Sequence, residues 1–206
     1  MQAVEPRIKA DGIFFNQTNR TLKDVDKRLG GNLIPFLDGL QLQGSGPRVL
    51  DMPCGTEAVA AAEIALRYPN SQVTAIDLDP RVESSRPNLA VVKGNAFDPD
   101  LKPGSFDIVY SVGLLPYYED IYGWGRSFAL LQKISGLLMP GGQALIDVSY
   151  NFVCGSGKAQ EIAAKFGVHL EPLARRWNLL DRVFYFISFG RWPDSHHLYL
   201  RKDHLE

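Results

Sequence analysis

The chain has 206 residues, of which 45% are hydrophobic and 22% charged, with a formal net charge of −1. That is one domain's worth of globular sequence with enough apolar content for a sizeable core, and its near-neutral charge gives no electrostatic reason to expect nucleic acid as the main partner. No apolar run reaches a membrane span, the opening Met1–Arg7 lacks the basic-then-apolar order of a secretory signal, and two cysteines, Cys54 and Cys154, make no disulfide framework; a cytoplasmic protein is expected.

Residues 1–20 are mixed, and the aromatic-polar run Phe14-Phe15-Asn16-Gln17 suits either a flap or simple packing. From Thr21 the spacing of Leu22, Val25 and Leu29 is helical, the apolar pattern resumes over 33–42, and Gly30-Gly31 predicts a break between two helices. A loop follows at 43–47. The reading is a single domain of 1–206, in which residues 1–45 form an N-terminal helical flap and 46–206 the core.

An alternation then begins. The pattern predicts a strand over 48–52, a helix over 57–67, a strand over 72–76 closing on Asp77, a short helix within 80–88 ended by Pro87, and strands over 89–92 and 106–110. A helix over 126–138 is expected to stop at Pro140-Gly141-Gly142, with a strand at 143–148 and a helix at 157–166 after it. Two further strands, 183–189 and 197–201, follow one another without a helix and predict an antiparallel hairpin at one sheet edge. The architecture is α/β: a doubly wound, mostly parallel sheet with helices on both faces.

In such a sheet ligands sit beyond the carboxyl ends of the strands. The stretch Arg48–Glu57 reads as strand, tight turn and helix start, a geometry that offers backbone N–H groups and a positive dipole end, with Gly55 allowing close approach to the main chain. The other strand ends bring Asp77, Asn95-Ala96-Phe97, Ser111 and Ser149–Asn151. Asp77 follows Gly55 by 22 residues, near the spacing at which an acid meets a ribose, and a carboxylate suits a vicinal diol because it only accepts hydrogen bonds. Asn95 can satisfy a purine edge, and Phe97 or Leu78 can cover its face. Together these residues describe a nucleoside site. No spacing suggests a metal, and Gly155-Ser156-Gly157-Lys158 fails as a phosphate loop because Phe152 and Ala159 stand where glycine and Ser or Thr are required.

The order of the pieces resembles the class I S-adenosylmethionine-dependent methyltransferases. Val49–Thr56 is similar to that family's glycine-rich first motif, Val73–Asp79 to its second, Lys93–Phe97 to its adenine-side turn, Ser105–Ser111 to its fourth strand and Leu138–Gly142 to the loop before its fifth. The resemblance implies a Rossmann-like, seven-stranded sheet with a reversed last strand, and S-adenosyl-L-methionine as cofactor. It implies that Asp51 and the Pro53-Cys54-Gly55 backbone hold the methionine portion, Asp77 the ribose, Asn95 and Ala96 the adenine, and that Ser111 lies near the methionine end. Pro53 and Glu57 stand where the family carries glycines, and Asn95 where it carries an acid.

The expected reaction is methyl transfer to an O, N or C atom of a small-molecule acceptor by in-line displacement, chiefly an effect of proximity and orientation. Tyr117, Tyr118 and Asn151 are the candidate acceptor-side residues, with Glu119 and Tyr150 beside them. The alternatives are a non-catalytic module that keeps the fold, and a methyltransferase acting on a protein side chain. Expected partners are a small-molecule substrate, no nucleic acid and no membrane, and a homodimer is compatible with the sequence.

Overall fold

The computed structural model describes residues 19–42, 46–84, 86–96, 99–115, 124–148, 168–172 and 196–202. Its elements are α1 (Leu22–Arg28), α2 (Leu33–Leu42), β1 (Arg48–Asp51), α3 (Val59–Arg67), β2 (Gln72–Asp77), β3 (Leu89–Lys93), β4 (Phe106–Ser111), α4 (Trp124–Leu137), β5 (Leu138–Val148), β6 (Val168–Pro172) and β7 (His196–Lys202).

The sheet runs in the order β3-β2-β1-β4-β5-β7-β6. Five strands, β3 to β5 in that order, are parallel, with Leu50 of β1 level with Thr74 of β2 and Val109 of β4. Strands buried on both faces read as continuous apolar runs rather than alternations. Val49, Leu50, Ile108, Val109, Tyr110, Leu145 and Ile146 are accordingly all closed to solvent, and Ala60, Ala61, Ile64 and Ala65 of α3 cover one face. The chain order reverses between β1 and β4, which makes the gap at their carboxyl ends the switch point where ligands bind in such sheets.

The N-terminal helices are part of this body. Gly30 and Gly31, both at positive φ, separate α1 from α2 as the sequence predicts. Thr21 caps α1 through a reciprocal box with Asp24. The Leu22 amide donates to Glu63 of α3 at 2.6 Å, and Leu22, Val25, Leu29, Leu33 and Leu37 join the α3 core cluster.

Three expectations need correction. Residues 80–84 carry no helix; the Arg81 amide donates to the Thr56 carbonyl at 2.7 Å and the Ser84 hydroxyl to the Arg86 carbonyl at 3.0 Å instead. Pro140-Gly141-Gly142 does not cap α4, which ends at Leu137. These residues bulge within β5, where Leu138 pairs Phe106 but Gln143 pairs Ile108. A Cβ on Gly142 would lie 2.9 Å from the Phe106 carbonyl oxygen, so this crossing needs glycine. Finally, the reversed strand β7 is not at the edge: it lies antiparallel between β5 and β6, and β6 is the edge. Strand β6 had no sequence reading of its own, and the readings at 157–166 and 183–189 lie outside the described residues.

Candidate functional site

Strand β1 ends on Asp51, and the chain turns at once through Met52, Pro53, Cys54 and Gly55. Gly55 has φ 76°, a left-handed conformation that explains the glycine. Two amides of this turn bond to the end of β2: Cys54 N–H donates to the Ile76 carbonyl at 3.0 Å, and Gly55 N–H to Asp77 Oδ2 at 2.8 Å. The Asp79 amide reaches Asp77 Oδ1 at 3.3 Å. The turn and Asp77 are therefore one hydrogen-bonded unit rather than neighbours. Pro53 costs nothing here, because the donors that matter belong to the two residues after it.

Ala58 adopts φ 46° ahead of α3 and provides no side-chain cap, so α3 begins with uncapped backbone amides beside the turn. Asn19 closes the outer side. Its Oδ1 accepts from Thr56 Oγ1 at 3.0 Å and from the Glu57 amide at 3.1 Å, while the Glu57 side chain is exposed.

The carboxyl ends of the strands collect buried acids. Asp51, Asp77 and Asp147 are 3%, 5% and 4% exposed. Burial disfavours a carboxylate, and it lifts Asp51 to about 8, with Asp77 adding to the rise and Tyr110 and Arg20 opposing it. Asp77 is also raised by burial, against amide bonds from Asp79, Gly55 and Leu78. Asp147 is raised to about 6 by burial, opposed by the Gly113 amide and Arg28. Burial pushes the Cys54 thiol far up, which leaves no thiolate nucleophile. The Tyr110 hydroxyl faces Asp51 but, like the Ser111 hydroxyl, is buried with no partner of normal hydrogen-bond geometry among the described residues. An orphaned hydroxyl at the end of β4 is a cost that a ligand can remove.

The structure thus draws Asp51, Pro53, Cys54, Gly55, Asp77, Leu78 and Ser111 to the strand ends on either side of β1. Asn95 and Ala96 follow β3, one strand further out, where the Gly94 amide bonds the Asp77 carbonyl at 2.8 Å. Phe97, Tyr117, Tyr118 and Asn151 lie outside the described residues. Asn19, Arg20 and Asp147 were missed from sequence. Asp147 had a signal, since it ends a predicted strand just as Asp51 and Asp77 do. Asn19 and Arg20 had none, because their partners lie 37 to 92 residues away. Among the described residues no group of His, Cys, Asp and Glu could hold a metal ion, and no helix is long and apolar enough to cross a membrane.

Comparison with known proteins places this geometry. A family model described as a methyltransferase domain matches residues 50–146. A 120-residue stretch is 37% identical to ribosomal RNA small subunit methyltransferase C of Pseudomonas entomophila (strain L48), covering 54% of this chain and 33% of that protein; the chain spans about a third of that relative's length. An S-adenosylmethionine dependent methyltransferase from Mesorhizobium loti shares the fold with a TM-score of 0.57 at 16% identity, over 82% of this chain and 96% of that one. Phosphoethanolamine N-methyltransferase 2 of Haemonchus contortus, solved with phosphomonomethylethanolamine and S-adenosylhomocysteine, aligns with a TM-score of 0.50 at 18% identity, over 78% of this chain and 49% of that one. Residues 50–146 match a methyltransferase domain, and the fold and the glycine turn agree with that match.

Proposed function

We propose that the protein transfers the methyl group of S-adenosylmethionine to an O, N or C atom of a small-molecule acceptor by in-line displacement. The observation that carries this reading is the Gly55–Asp77 hydrogen bond, which joins the turn after β1 to the acid closing β2. The Asp79 and Leu78 amides also bond this carboxylate, which leaves about one of its roughly four acceptor sites for a ribose hydroxyl. The donor set fits the cofactor elsewhere too. Asp51 and the Pro53-Cys54-Gly55 backbone would hold its amino-acid end, Leu78, Asn95, Ala96 and Phe97 its adenine side, and the orphaned Ser111 hydroxyl would face the methionine.

When bound, this cofactor supplies an activated methyl on a sulfonium. The chain's task is then to bind the acceptor behind that methyl, to align it and to exclude water. The acceptor would lie over the ends of β4 and β5, with Tyr117, Tyr118 and Asn151 lining its pocket and aromatic rings favouring the cation. We read residues 1–206 as one methyltransferase-like domain in which residues 1–45 close over the site. The bonds from Asn19 to Thr56 and Glu57 and from Arg20 to Val112 support that reading.

A small acceptor is favoured over RNA by the net charge of −1, since phosphate backbones recruit basic surfaces. The ribosomal RNA methyltransferase relative keeps RNA as the second reading. Cofactor carrying a labelled methyl group, incubated with the protein and either a panel of small O, N and C nucleophiles or ribosomal RNA, separates the two. Transfer to a small nucleophile is the expected result. Transfer to RNA alone selects the second reading, and cofactor binding without transfer to anything describes a non-catalytic module.

A further inference from the structure

The ends of β4 and β5 carry a cluster of charge of their own. Asp147 is the last residue but one of β5; its Oδ1 accepts the Gly113 amide at 2.7 Å, and its Oδ2 lies 3.7 Å from Arg28 Nη1. Arg20 comes to the same place from the segment before α1. Its Nη1 donates to the Val112 carbonyl at 3.0 Å, and its guanidinium lies so close to Gly113 that a Cβ there would sit 3.1 Å from Nη2. Gly113, at φ 81°, leaves room for the cation.

Two guanidinium groups therefore face one carboxylate. Asp51 and Asp24 act on Arg20 more weakly than Asp147 does, and Asp24 is tied to Thr21 in the α1 cap. Arg20 is half-buried, and no carboxylate lies within ion-pair distance of it among the described residues. A guanidinium carries five N–H donors; among the described residues Arg20 bonds one neutral carbonyl. Burial and the neighbouring Arg28 both work against its charge. A half-desolvated cation with spare donors beside a like charge is the arrangement that a planar oxyanion relieves, through paired, charge-assisted bonds. It lies at the ends of β4 and β5, where Arg20 meets Val112 and Gly113.

We propose that Arg20 and Arg28 form an anion-recognising subsite that selects methyl acceptors bearing a carboxylate or phosphate group. This rests on the methyl-transfer reading, because it assigns the β4–β5 end to the acceptor.

The test uses the full chain with labelled arginine side chains, followed by NMR of the Arg Nε–H signals, assigned through Arg20→Gln and Arg28→Gln. Inorganic phosphate and acetate are added at constant ionic strength against chloride, with and without saturating S-adenosylhomocysteine, whose own binding is measured on the same sample by calorimetry. Saturable phosphate or acetate shifts of the Arg20 and Arg28 signals at millimolar concentration are expected, unchanged by S-adenosylhomocysteine. Affinity should fall about tenfold in Arg20→Gln and severalfold in Arg28→Gln, whose exposed side chain can be lost without disturbing the core. Equal shifts with chloride overturn the proposal. So does loss of the anion shift when S-adenosylhomocysteine binds, which gives the arginines to the cofactor. So does a short single-stranded RNA that moves the signals at micromolar concentration where phosphate has no effect. If S-adenosylhomocysteine binds while the anions do not, this inference alone fails; if S-adenosylhomocysteine does not bind, the methyl-transfer reading fails.

Discussion

The two ends of the same sheet are built on different terms. At the amino ends, β1 begins with Arg48 paired to Asp107 at 3.3 Å in solvent, and the Gln72 amide meets the Pro47 carbonyl at 2.9 Å. Those polar groups are exposed or satisfied. At the carboxyl ends, three acids at or next to the last residues of β1, β2 and β5 are buried, and the Ser111 hydroxyl has no partner among the described residues. Burying carboxyl groups is unfavourable, and stability alone would not place them there. The contrast supports our placing of the site at the carboxyl ends, and on that account the two ends respond differently to mutation.

The sharpest break comes at the turn. Gly55→Val forces a β-branched residue into a left-handed conformation, at a cost of roughly 1–3 kcal/mol in the fold, and places a side chain where the main chain must meet the ligand. On our account S-adenosylhomocysteine affinity falls more than about 100-fold, read by calorimetry, and a thermal melt reads the strain. Asp77→Ala comes next. It removes the acceptor of the Gly55 amide and the ribose contacts, each charge-assisted bond being worth roughly 1.5–3 kcal/mol; calorimetry on the folded variant should show a loss of about tenfold or more.

The Asp51 effect follows and is one of pH. Because its folded value is raised from 3.8 to about 8, the folded state holds a proton that the unfolded state has released. Its stabilising share is complete below about pH 4 and is lost as pH rises towards 8, at roughly 1.4 kcal/mol per pH unit across that window. Urea unfolding at pH 6, 7 and 8 should show this downward slope in the wild-type protein and a flatter one in Asp51→Asn. The smallest effect is expected at the opposite end of the sheet. Arg48→Ala removes an exposed ion pair worth about 0–1 kcal/mol and should leave S-adenosylhomocysteine affinity unchanged. A strong loss of binding there would erase the distinction between the two ends.

Much of this contrast could be read from the chain. The first four parallel strands announce themselves as short apolar runs, β1 and β2 closing on acids, so their places follow from local pattern; the hydrogen bond between Gly55 and Asp77 does not, since spacing offers Asp77 only as a ribose acceptor. What stayed hidden depended on distance. Strand β6, Val-His-Leu-Glu-Pro, is too short and mixed to show a period, and only its pairing with β7 defines it. The bulge at Met139–Gly142 looks like a helix stop because proline and glycine serve both purposes. Arg20 carries no motif at all: its place over Gly113 comes from α1 packing on α3, which brings residues 92 positions apart into contact.

The most direct test of the central claim is a calorimetric titration of the wild-type chain and of Asp77→Ala with S-adenosylhomocysteine. The account predicts one site per wild-type chain and a loss of about tenfold or more in the variant. No binding to the wild-type protein, or equal affinity in both, contradicts it.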